Sequence, residues 1–250
     1  MNKVKVYDLP TRMFHWLFAG LFVFAFAIAK IIDDDSPSYS YHMLAGIFML
    51  FLVVLRAFWG VVGGHYAKFS SFKLSPSDLV QYFASLLSSK GKRYLGHNPA
   101  SSFAAIGMFI FTIALAVTGI LMSKGINKDF FEEVHEICAS GFVITVIIHI
   151  IGVIFHQTQH KDGIIYSMIN GSKSGAENLQ GITSNHNLVA TIFLGLVISF
   201  AIYLSQNYDS NTQNLDLFGT QIKLGENDHK HSGKKEHSQG VFKSDEHEDD

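Results

Sequence analysis

Apolar residues occur in five long runs, and most charged residues lie between these runs or after the last of them. Four runs, at residues 13–32, 43–62, 101–123 and 134–156, reach the length of about 20 residues that a helix needs to cross a bilayer. The fifth, at residues 188–204, is shorter but almost entirely apolar. Backbone polar groups in lipid must be satisfied within their own segment, so these runs predict five transmembrane helices rather than strands.

The positions of the runs divide the chain into three parts. Residues 1–175 contain the first four runs and predict a four-helix transmembrane bundle. Residues 176–205 contain a loop and the fifth transmembrane helix, and residues 206–250 predict a polar, histidine-rich and disordered tail. The expected fold class is therefore an all-α membrane protein.

The connection between the second and third runs has a helical pattern of its own. Ser75 followed by Pro76 is typical of a helix start, and apolar residues recur at helical spacing from Leu79 to Leu87. Three basic residues follow closely. The pattern predicts an amphipathic helix, which either lies on the membrane surface or packs as an ordinary loop helix.

The composition agrees with a membrane protein and argues against several other classes. Hydrophobic residues make up 48% of the chain and charged residues only 16%, whereas soluble domains have about 25% charged residues. A net charge of −2 does not suit a nucleic-acid binder. The single cysteine, Cys138, cannot form the framework of a disulfide-rich secreted domain, and no Cys-x-x-Cys-His motif is present for covalent haem attachment.

Lysine and arginine are concentrated before the first run, between the second and third, and between the fourth and fifth. Because positively charged loops remain in the cytoplasm, this distribution predicts a cytoplasmic amino terminus. With five helices the carboxy-terminal tail then lies on the opposite side of the membrane. The first run could also be a signal peptide, but its apolar core is too long for one, so we expect it to be retained.

Four of the histidines within these runs or next to them fall into two pairs. His135 and His149 are 14 residues apart in the fourth run, which is a rise of about 21 Å and nearly four full turns, so they share one helix face at opposite depths. His42 lies at the depth of His135 near the external surface, and His15 lies at the depth of His149 near the cytoplasmic surface. Two facing imidazoles suit the axial ligation of haem iron, whereas zinc requires three or four ligands at one depth. The pattern predicts two haem groups.

Arg56 is predicted to share the helix face of His42 but to lie at the depth of His15 and His149. A buried arginine needs an anion such as a haem propionate, while the alternative is that it reaches the lipid headgroups. Gly46 and Gly141 would give a macrocycle room to approach the helices, or would serve ordinary helix contacts.

Several of these residues stand within longer motifs. They are Tyr7-Asp8-Leu9-Pro10-Thr11-Arg12 leading into Phe14-His15-Trp16, His42 with Gly46, Arg56 through Trp59-Gly60 to Gly63, Arg93-Tyr94-Leu95-Gly96-His97-Asn98-Pro99, and His135-Glu136 with His149. In this combination, over residues 5–175, the chain resembles the bacterial cytochrome b561 and nickel–iron hydrogenase b-type cytochrome family.

The resemblance implies a four-helix cytochrome of the bacterial inner membrane that binds two haem b groups through His15, His42, His135 and His149. It further implies electron transfer between the quinone pool and a redox partner, either a c-type cytochrome, a hydrogenase or another dehydrogenase, in the manner of a quinone oxidoreductase subunit. The carboxy-terminal tail would then be periplasmic. The resemblance does not extend beyond residue 175, so it says nothing of the fifth helix or the tail.

A different class of function is a transporter or metal permease with histidines along its path. Such proteins carry acidic and histidine side chains along one route, often in repeated halves with broken helices. The predicted helices contain almost no acidic residues, and no internal repeat is visible. A third alternative is a passive membrane anchor that has lost its haems, which the presence of all four paired histidines disfavours.

The remaining histidines have weaker functional claims. His65 and His97 are expected at the surface or as helix caps, with a quinone pocket as the alternative. His156 and His160 are expected to be exposed interface residues, although their spacing could also serve a metal, and His186 is expected to cap the fifth helix. The last four, in the predicted tail, could hold a metal only weakly: His229, His231, His237 and His247.

Overall fold

The computed structural model describes residues 3–87, 94–174 and 180–225. In chain order its elements are β1 (Lys3–Lys5), α1 (Leu9–Ile31), α2 (Ser40–Val62), α3 (Pro76–Leu87), α4 (Pro99–Ser123), α5 (Lys128–His160), α6 (Ile164–Asn170), β2 (Ser172–Ser174), α7 (Asn187–Asn207), β3 (Tyr208–Asp209), β4 (Asn214–Leu217) and β5 (Thr220–Lys223). Short 3-10 turns precede α2 and α3.

Five of these helices are long and apolar enough to cross a membrane, namely α1, α2, α4, α5 and α7. They correspond to the five apolar runs, so the prediction of a helical membrane protein is confirmed. α5 extends beyond its apolar run at both ends and has 33 residues, which is about 50 Å of helix. Because a bilayer core is about 30 Å thick, the polar ends of α5 project from it.

Two of the helices begin at side-chain caps that the sequence motifs contain. The Asp8 carboxylate accepts a hydrogen bond from the Thr11 amide at 3.1 Å, and the Asn98 side chain accepts one from the Ser101 amide at 2.8 Å. A proline follows within the first two helical positions in both cases, where its missing N–H costs nothing.

α1, α2, α4 and α5 form the bundle, and α7 packs against α1 and α2. An aromatic and aliphatic core fills the middle of the bundle, and its buried members are Phe14, Phe18, Met49, Leu52, Val53, Phe142, Phe193 and Val197. Large apolar side chains such as Ile148 and Ile151 of α5 point outward and are more than half exposed. This outward apolar surface is what lipid would cover.

At the amino-terminal end of the bundle, which is the end where α1 begins, β1 pairs with β2 in antiparallel register from Lys3↔Ser174 to Lys5↔Ser172. The Trp16 indole nitrogen donates to the Met168 carbonyl at 2.8 Å and so joins α1 to α6. The sequence pattern does not predict these strands, because each has only three residues and includes lysine.

At the opposite end, which we call the meander end, β3, β4 and β5 form a three-stranded antiparallel sheet. Leu215, Ile222 and Leu224 are nearly inaccessible and pack against apolar side chains of α2 and α7. The prediction of a disordered tail from residue 206 is therefore wrong for residues 206–225, because a few alternating apolar residues are enough to order a meander on an existing helical surface. Residues 226–250, including the four tail histidines, lie outside the described residues.

The predicted helix between α2 and α4 is confirmed as α3, with its start at Pro76. One side of α3 packs on α4, and Tyr82 is only 3% exposed there, whereas Val80 on the other side is 69% exposed. The contact with α4 agrees with the packed loop helix, while the exposed apolar side agrees with a helix on the membrane surface. The basic residues at 90–93 lie outside the described residues.

Candidate functional site

The structure brings together His42 and His135 at the meander end. Their ring centroids are 6.2 Å apart, with an angle of 65° between the ring planes. His42 stands in the first turn of α2 and His135 two turns into α5, at the end where α1 and α4 finish. Both side chains are half-buried.

Hydrogen bonds determine which ring nitrogen of this pair carries the proton. His42 Nδ1 lies 2.9 Å from the Ala25 carbonyl oxygen, which can only accept, so Nδ1–H is the donor. His135 Nδ1 lies 2.8 Å from the Thr118 hydroxyl, and that hydroxyl donates to the Ala114 carbonyl and therefore accepts from the ring. Both rings are left with an unprotonated Nε2, which is the arrangement that a metal-ligating histidine requires.

His15 and His149 lie at the amino-terminal end, on α1 and α5 respectively, and are close enough to interact electrostatically. Both are half-buried. His15 Nδ1 is buried and has no hydrogen-bond partner within residues 3–87, 94–174 and 180–225. The second pair therefore differs from the first in leaving a polar atom unsatisfied.

Arg56 lies at the amino-terminal end, in the last two turns of α2, and is only 3% exposed. Its Nη2 donates to the Ala67 carbonyl at 2.9 Å, and the guanidinium stacks on the Phe69 ring at 5.2 Å. Protein encloses the group, so the alternative in which Arg56 reaches the lipid headgroups is wrong. Arg56 Nη1 is buried and has no hydrogen-bond partner among the residues that the structure describes, which leaves a donor suited to an anion.

His97 belongs to the same end and not to the surface, where it was expected. Its ring packs against Phe72 at 4.5 Å and Tyr7 at 5.4 Å, and its Nδ1 is buried without a partner. Burial, followed by the positive charges of Arg56 and Lys173, lowers the pKa of His97 to about 3. The helix cap expected of His97 is supplied by Asn98. His65, by contrast, is exposed as expected.

The two glycines proposed to accommodate a macrocycle differ. A Cβ at Gly46 would meet no atom within 4 Å, so space is present beside the helix. A Cβ at Gly141 would lie 2.7 Å from the Phe111 ring, so this glycine serves the close contact of α4 with α5. Gly141 therefore has a packing role.

The residues at both ends fit a haem b group. Each end presents two histidines from different helices, and the amino-terminal end adds unpaired buried donors on His15 and Arg56. Among the described residues, no group of three or more His, Cys, Asp or Glu side chains could hold a metal ion. Paired axial ligation is thus the metal chemistry that these histidines support best.

A cavity of about 290 Å³ lies beside His149, between α3, α4 and α5. Its walls are mainly apolar, with Asn98, Ser101, Thr145 and Tyr82 as polar members. Ile148 and Phe83, which also line it, are 57% and 43% exposed, so the cavity opens toward the outer apolar surface of the bundle.

His156 is fully buried, and the expectation that it is an exposed interface residue is wrong. Its Nδ1 pairs with the Tyr82 hydroxyl at 2.8 Å and its Nε2 with Asp162 Oδ2 at 3.1 Å. Lys173 Nζ lies 3.3 Å from the same carboxylate oxygen. Sequence reasoning missed this cluster because its members come from α3, α5, a loop and β2, and the chain alone gives no sign that they meet.

His186 occupies the position before α7 but does not cap it with its side chain. Its backbone is left-handed, with φ of 52°, and no capping hydrogen bond is formed. The ring instead packs edge-on against Trp59 at 5.1 Å. The Trp59 indole nitrogen in turn donates to Asp8 Oδ2 at 3.2 Å, so the starts of α1 and α7 are tied to the end of α2.

Three relatives have similar sequences over most of their length. A probable Ni/Fe-hydrogenase B-type cytochrome subunit of Rhizobium leguminosarum bv. viciae is 25% identical over 213 residues, covering 69% of this chain and 89% of the relative. A probable Ni/Fe-hydrogenase 1 B-type cytochrome subunit of Escherichia coli K12 is 22% identical, covering 68% and 90%. The probable Ni/Fe-hydrogenase B-type cytochrome subunit of Rhodobacter capsulatus is 23% identical, covering 69% and 82%. No solved structure matches the chain significantly.

The family model of prokaryotic cytochrome b561 matches residues 6–171, which include α1, α2, α4 and α5. All four paired histidines, together with Arg56, fall within that range. The chain therefore belongs to the prokaryotic cytochrome b561 family of membrane electron-transfer proteins that use haem b.

Proposed function

We propose that this chain binds two haem b groups and transfers electrons between the quinone pool and a redox partner on the membrane. His42 and His135 would hold one haem iron at the meander end, and His15 and His149 the other at the amino-terminal end. The observation that carries the proposal is the presence of two histidine pairs at opposite ends of one helical bundle, each formed by two different helices.

Bound haem b supplies one-electron chemistry, and the chain determines its position and surroundings. The hydrogen bonds from His42 Nδ1 and His135 Nδ1 fix both rings and leave Nε2 of each free of its proton for a metal. At the other end, the unpaired Arg56 Nη1 would donate to a propionate. These contacts give each iron a different electrostatic environment.

A quinone would bind in the cavity beside His149. The cavity opens toward the lipid-facing surface, where a hydrophobic quinone resides, and its volume of about 290 Å³ suits the ring of such a molecule while the tail remains in lipid. Asn98, Ser101, Thr145 and Tyr82 supply polar groups in a mainly apolar wall. Quinone chemistry therefore belongs to the amino-terminal end of the bundle.

The partner that we propose is a hydrogenase, because the relatives from three organisms carry that enzyme in their names. Another dehydrogenase or a c-type cytochrome would serve the same electron-transfer role. Purification of the chain from its native membrane under mild detergent, followed by identification of the co-purifying redox subunit, would distinguish these partners.

We further propose the orientation predicted by the loop charges, in the bacterial inner membrane with the amino terminus in the cytoplasm. α7 ends at the meander end, so the tail would be periplasmic. Alkaline phosphatase fused after Asp250 should then be active, and the same enzyme fused within the connection between α3 and α4 should be inactive. The reverse pattern would overturn the orientation.

The transport alternative gains no support from the bundle. The aromatic side chains of Phe14, Phe18 and Phe142 fill the space between the two histidine pairs, and Phe18 and Phe142 are 6.2 Å apart. Across the described bundle, this apolar layer interrupts any path of polar groups that an ion could follow.

The test of the proposed function is the haem content of the purified full-length chain. A reduced-minus-oxidised spectrum should show b-type bands, and a pyridine haemochrome assay should give two haems per chain. One haem per chain would contradict the paired arrangement, and none would overturn the proposal.

A further inference from the structure

A continuous line of hydrogen bonds leads from the cavity beside His149 to Asp162, in the loop after α5. Tyr82 lines the cavity, and its hydroxyl lies 2.8 Å from His156 Nδ1. His156 Nε2 lies 3.1 Å from Asp162 Oδ2. Tyr82, His156 and Asp162 are each at most 3% exposed, so the line runs through the protein interior.

The far end of this line reaches a second cavity, of about 240 Å³. Asp162 and Lys173 form part of its wall, and the remaining wall includes Lys3, Tyr166 and Asn170, which are exposed. Solvent therefore reaches the cavity on the Asp162 side, while the first cavity meets the outer apolar surface on the Tyr82 side. The three side chains separate a polar compartment from an apolar one.

The charges around the line favour an ionised carboxylate at its solvent end. Burial raises the pKa of Asp162, but the hydrogen bond from His156 and the charge of Lys173 outweigh it and lower the pKa to about 2. Burial, together with the Asp162 charge, raises the pKa of Tyr82 and keeps this phenol protonated. Because the carboxylate only accepts, His156 Nε2–H donates to it and the Tyr82 hydroxyl donates to Nδ1. Other titratable or charged groups around these residues are Lys173, Tyr94, Tyr7 and His160.

We propose that Tyr82, His156 and Asp162 form a proton relay that connects a quinone or quinol in the cavity beside His149 with the solvent at Asp162. The inference rests on the proposed function, since it requires quinone chemistry in that cavity. It assigns a role to a buried polar cluster that haem binding does not need.

The step balances in protons and electrons. Oxidation of a quinol to a quinone releases two electrons, one to each of two ferric haem groups, and two protons, which leave one at a time. For each proton, a quinol O–H bond breaks as Tyr82 takes up that proton and passes its own to His156 Nδ1. The His156 imidazolium, paired with the Asp162 carboxylate, then releases its Nε2 proton through that carboxylate to solvent. Exchange between the two ring nitrogens restores the starting state, and quinone reduction follows the same path in reverse.

The experiment uses full-length, haem-loaded protein in lipid nanodiscs, mixed rapidly with duroquinol as the reductant. Haem reduction by duroquinol requires proton release, whereas reduction by dithionite does not. We expect Tyr82→Phe to slow reduction by duroquinol about 100-fold, the scale of a lost general base, and to leave reduction by dithionite unchanged. Adding imidazole to the buffer should restore part of the lost rate, which a purely structural role of Tyr82 would not produce.

Asp162→Asn provides a second variant, because it retains the shape of the side chain and removes the proton acceptor. It should slow duroquinol oxidation and change its pH dependence, while the haem spectrum remains that of the wild type. The matched control is Tyr66→Phe, which removes a hydroxyl that donates to the Gln180 carbonyl at 2.9 Å, away from both cavities. This control should react at the wild-type rate.

The outcomes separate the relay from the function on which it rests. If duroquinol reduces the wild type but reduces Tyr82→Phe and Asp162→Asn equally fast, the relay is wrong and the quinone function stands. If dithionite reduces the wild type and duroquinol does not, the quinone function itself is wrong.

Discussion

The two histidine pairs occupy the same bundle, but their surroundings differ in how completely polar atoms are satisfied. At the meander end, His42 and His135 each give Nδ1 to a protein oxygen, at 2.9 and 2.8 Å. At the amino-terminal end, buried nitrogen atoms of His15, Arg56 and His97 have no partner in the part of the chain that the structure describes. The polar atoms around the first pair are thus satisfied by described residues, whereas those around the second pair are left open to a further molecule.

This difference indicates a division of roles between the ends. A pair whose rings are fixed by protein oxygens is suited to hold a group rigidly and exchange only electrons. A pair beside a lipid-facing cavity, a buried arginine and a hydrogen-bonded line to solvent is suited to reactions that also move protons. Under the proposed function, the two ends of the four-helix scaffold would therefore hold two chemically different centres.

The largest expected effect is the loss of one haem at a time, which would distinguish the two ends of the bundle. His135→Ala should remove the haem at the meander end and His149→Ala the haem at the amino-terminal end, because each iron loses one axial ligand. Each variant should bind about half the wild-type haem, as measured by pyridine haemochrome, and the remaining haems should differ in redox potential. If either variant retains both haems, the proposed pairing is wrong.

Acid should destabilise the amino-terminal end more than the meander end. The pKa of Asp162 is lowered to about 2 in the folded chain, so its stabilisation is complete above its unfolded value near 4 and is lost as the pH falls through the folded value. We expect Asp162→Asn to cost about 2 kcal/mol near neutral pH and much less near pH 2, as measured by thermal unfolding in detergent.

Asp209 is the corresponding control at the meander end. Its carboxylate accepts hydrogen bonds from the Asn211 amide and the Thr212 hydroxyl, and these lower its pKa, but the group is fully exposed. Asp209→Asn should therefore have a smaller effect on stability at every pH. Equal losses for the two variants would contradict the contrast between the ends.

Arg56 should influence one redox centre and not the other. A unit charge about 10 Å from a one-electron redox centre, in a medium of effective dielectric about 20, contributes about 1.7 kcal/mol, or about 70 mV. Arg56→Gln should lower the potential of the amino-terminal haem by about this amount, because a nearby positive charge favours the reduced state. The exposed Lys124→Gln at the meander end should shift either potential less, as redox titration would show.

The smallest expected effect concerns the Thr118 hydroxyl. Thr118→Val preserves the shape of the side chain and removes the acceptor of the His135 Nδ1 hydrogen bond, so the meander-end haem should bind about 10-fold more weakly. Thr112→Val is the control on the same helix, since its hydroxyl donates only to the Met108 carbonyl at 2.8 Å. Haem transfer to apomyoglobin would measure the loss, and equal rates for the two variants would show that the hydrogen bond to His135 has no role.

The long helices and the depth of residues along them could be predicted from the sequence, while the short strands could not. All five membrane helices follow from apolar runs, and His42 and His135 could be paired from depth alone because helical rise fixes depth. β1, β2 and the meander were missed because strands of two to four residues carry little periodicity. The alternation of Leu215, Ile222 and Leu224 with polar residues is the sequence signal for these strands, and it is weak because the surrounding segment is polar.

Burial was harder to predict than position. The sequence predicts His156 and His97 at the surface because one stands at the end of an apolar run and the other in the connection between two runs. Both lie instead against aromatic side chains from distant segments. Arg56 could be placed at the correct depth, but only the structure distinguishes an enclosed guanidinium from one at the lipid headgroups. Such distinctions depend on which loops cover a helix end, and helical periodicity contains no information about loops.

The pairing of β1 with β2 has a consequence for how the chain is made. β1 is synthesised before α1, yet its partner strand follows the fourth membrane helix. At a synthesis rate of about 5–20 residues per second, β1 waits on the order of 10 s before it can pair. β1 therefore pairs with β2 as a late step in assembly of the bundle. This pairing follows the synthesis of the helices that bear all four paired histidines.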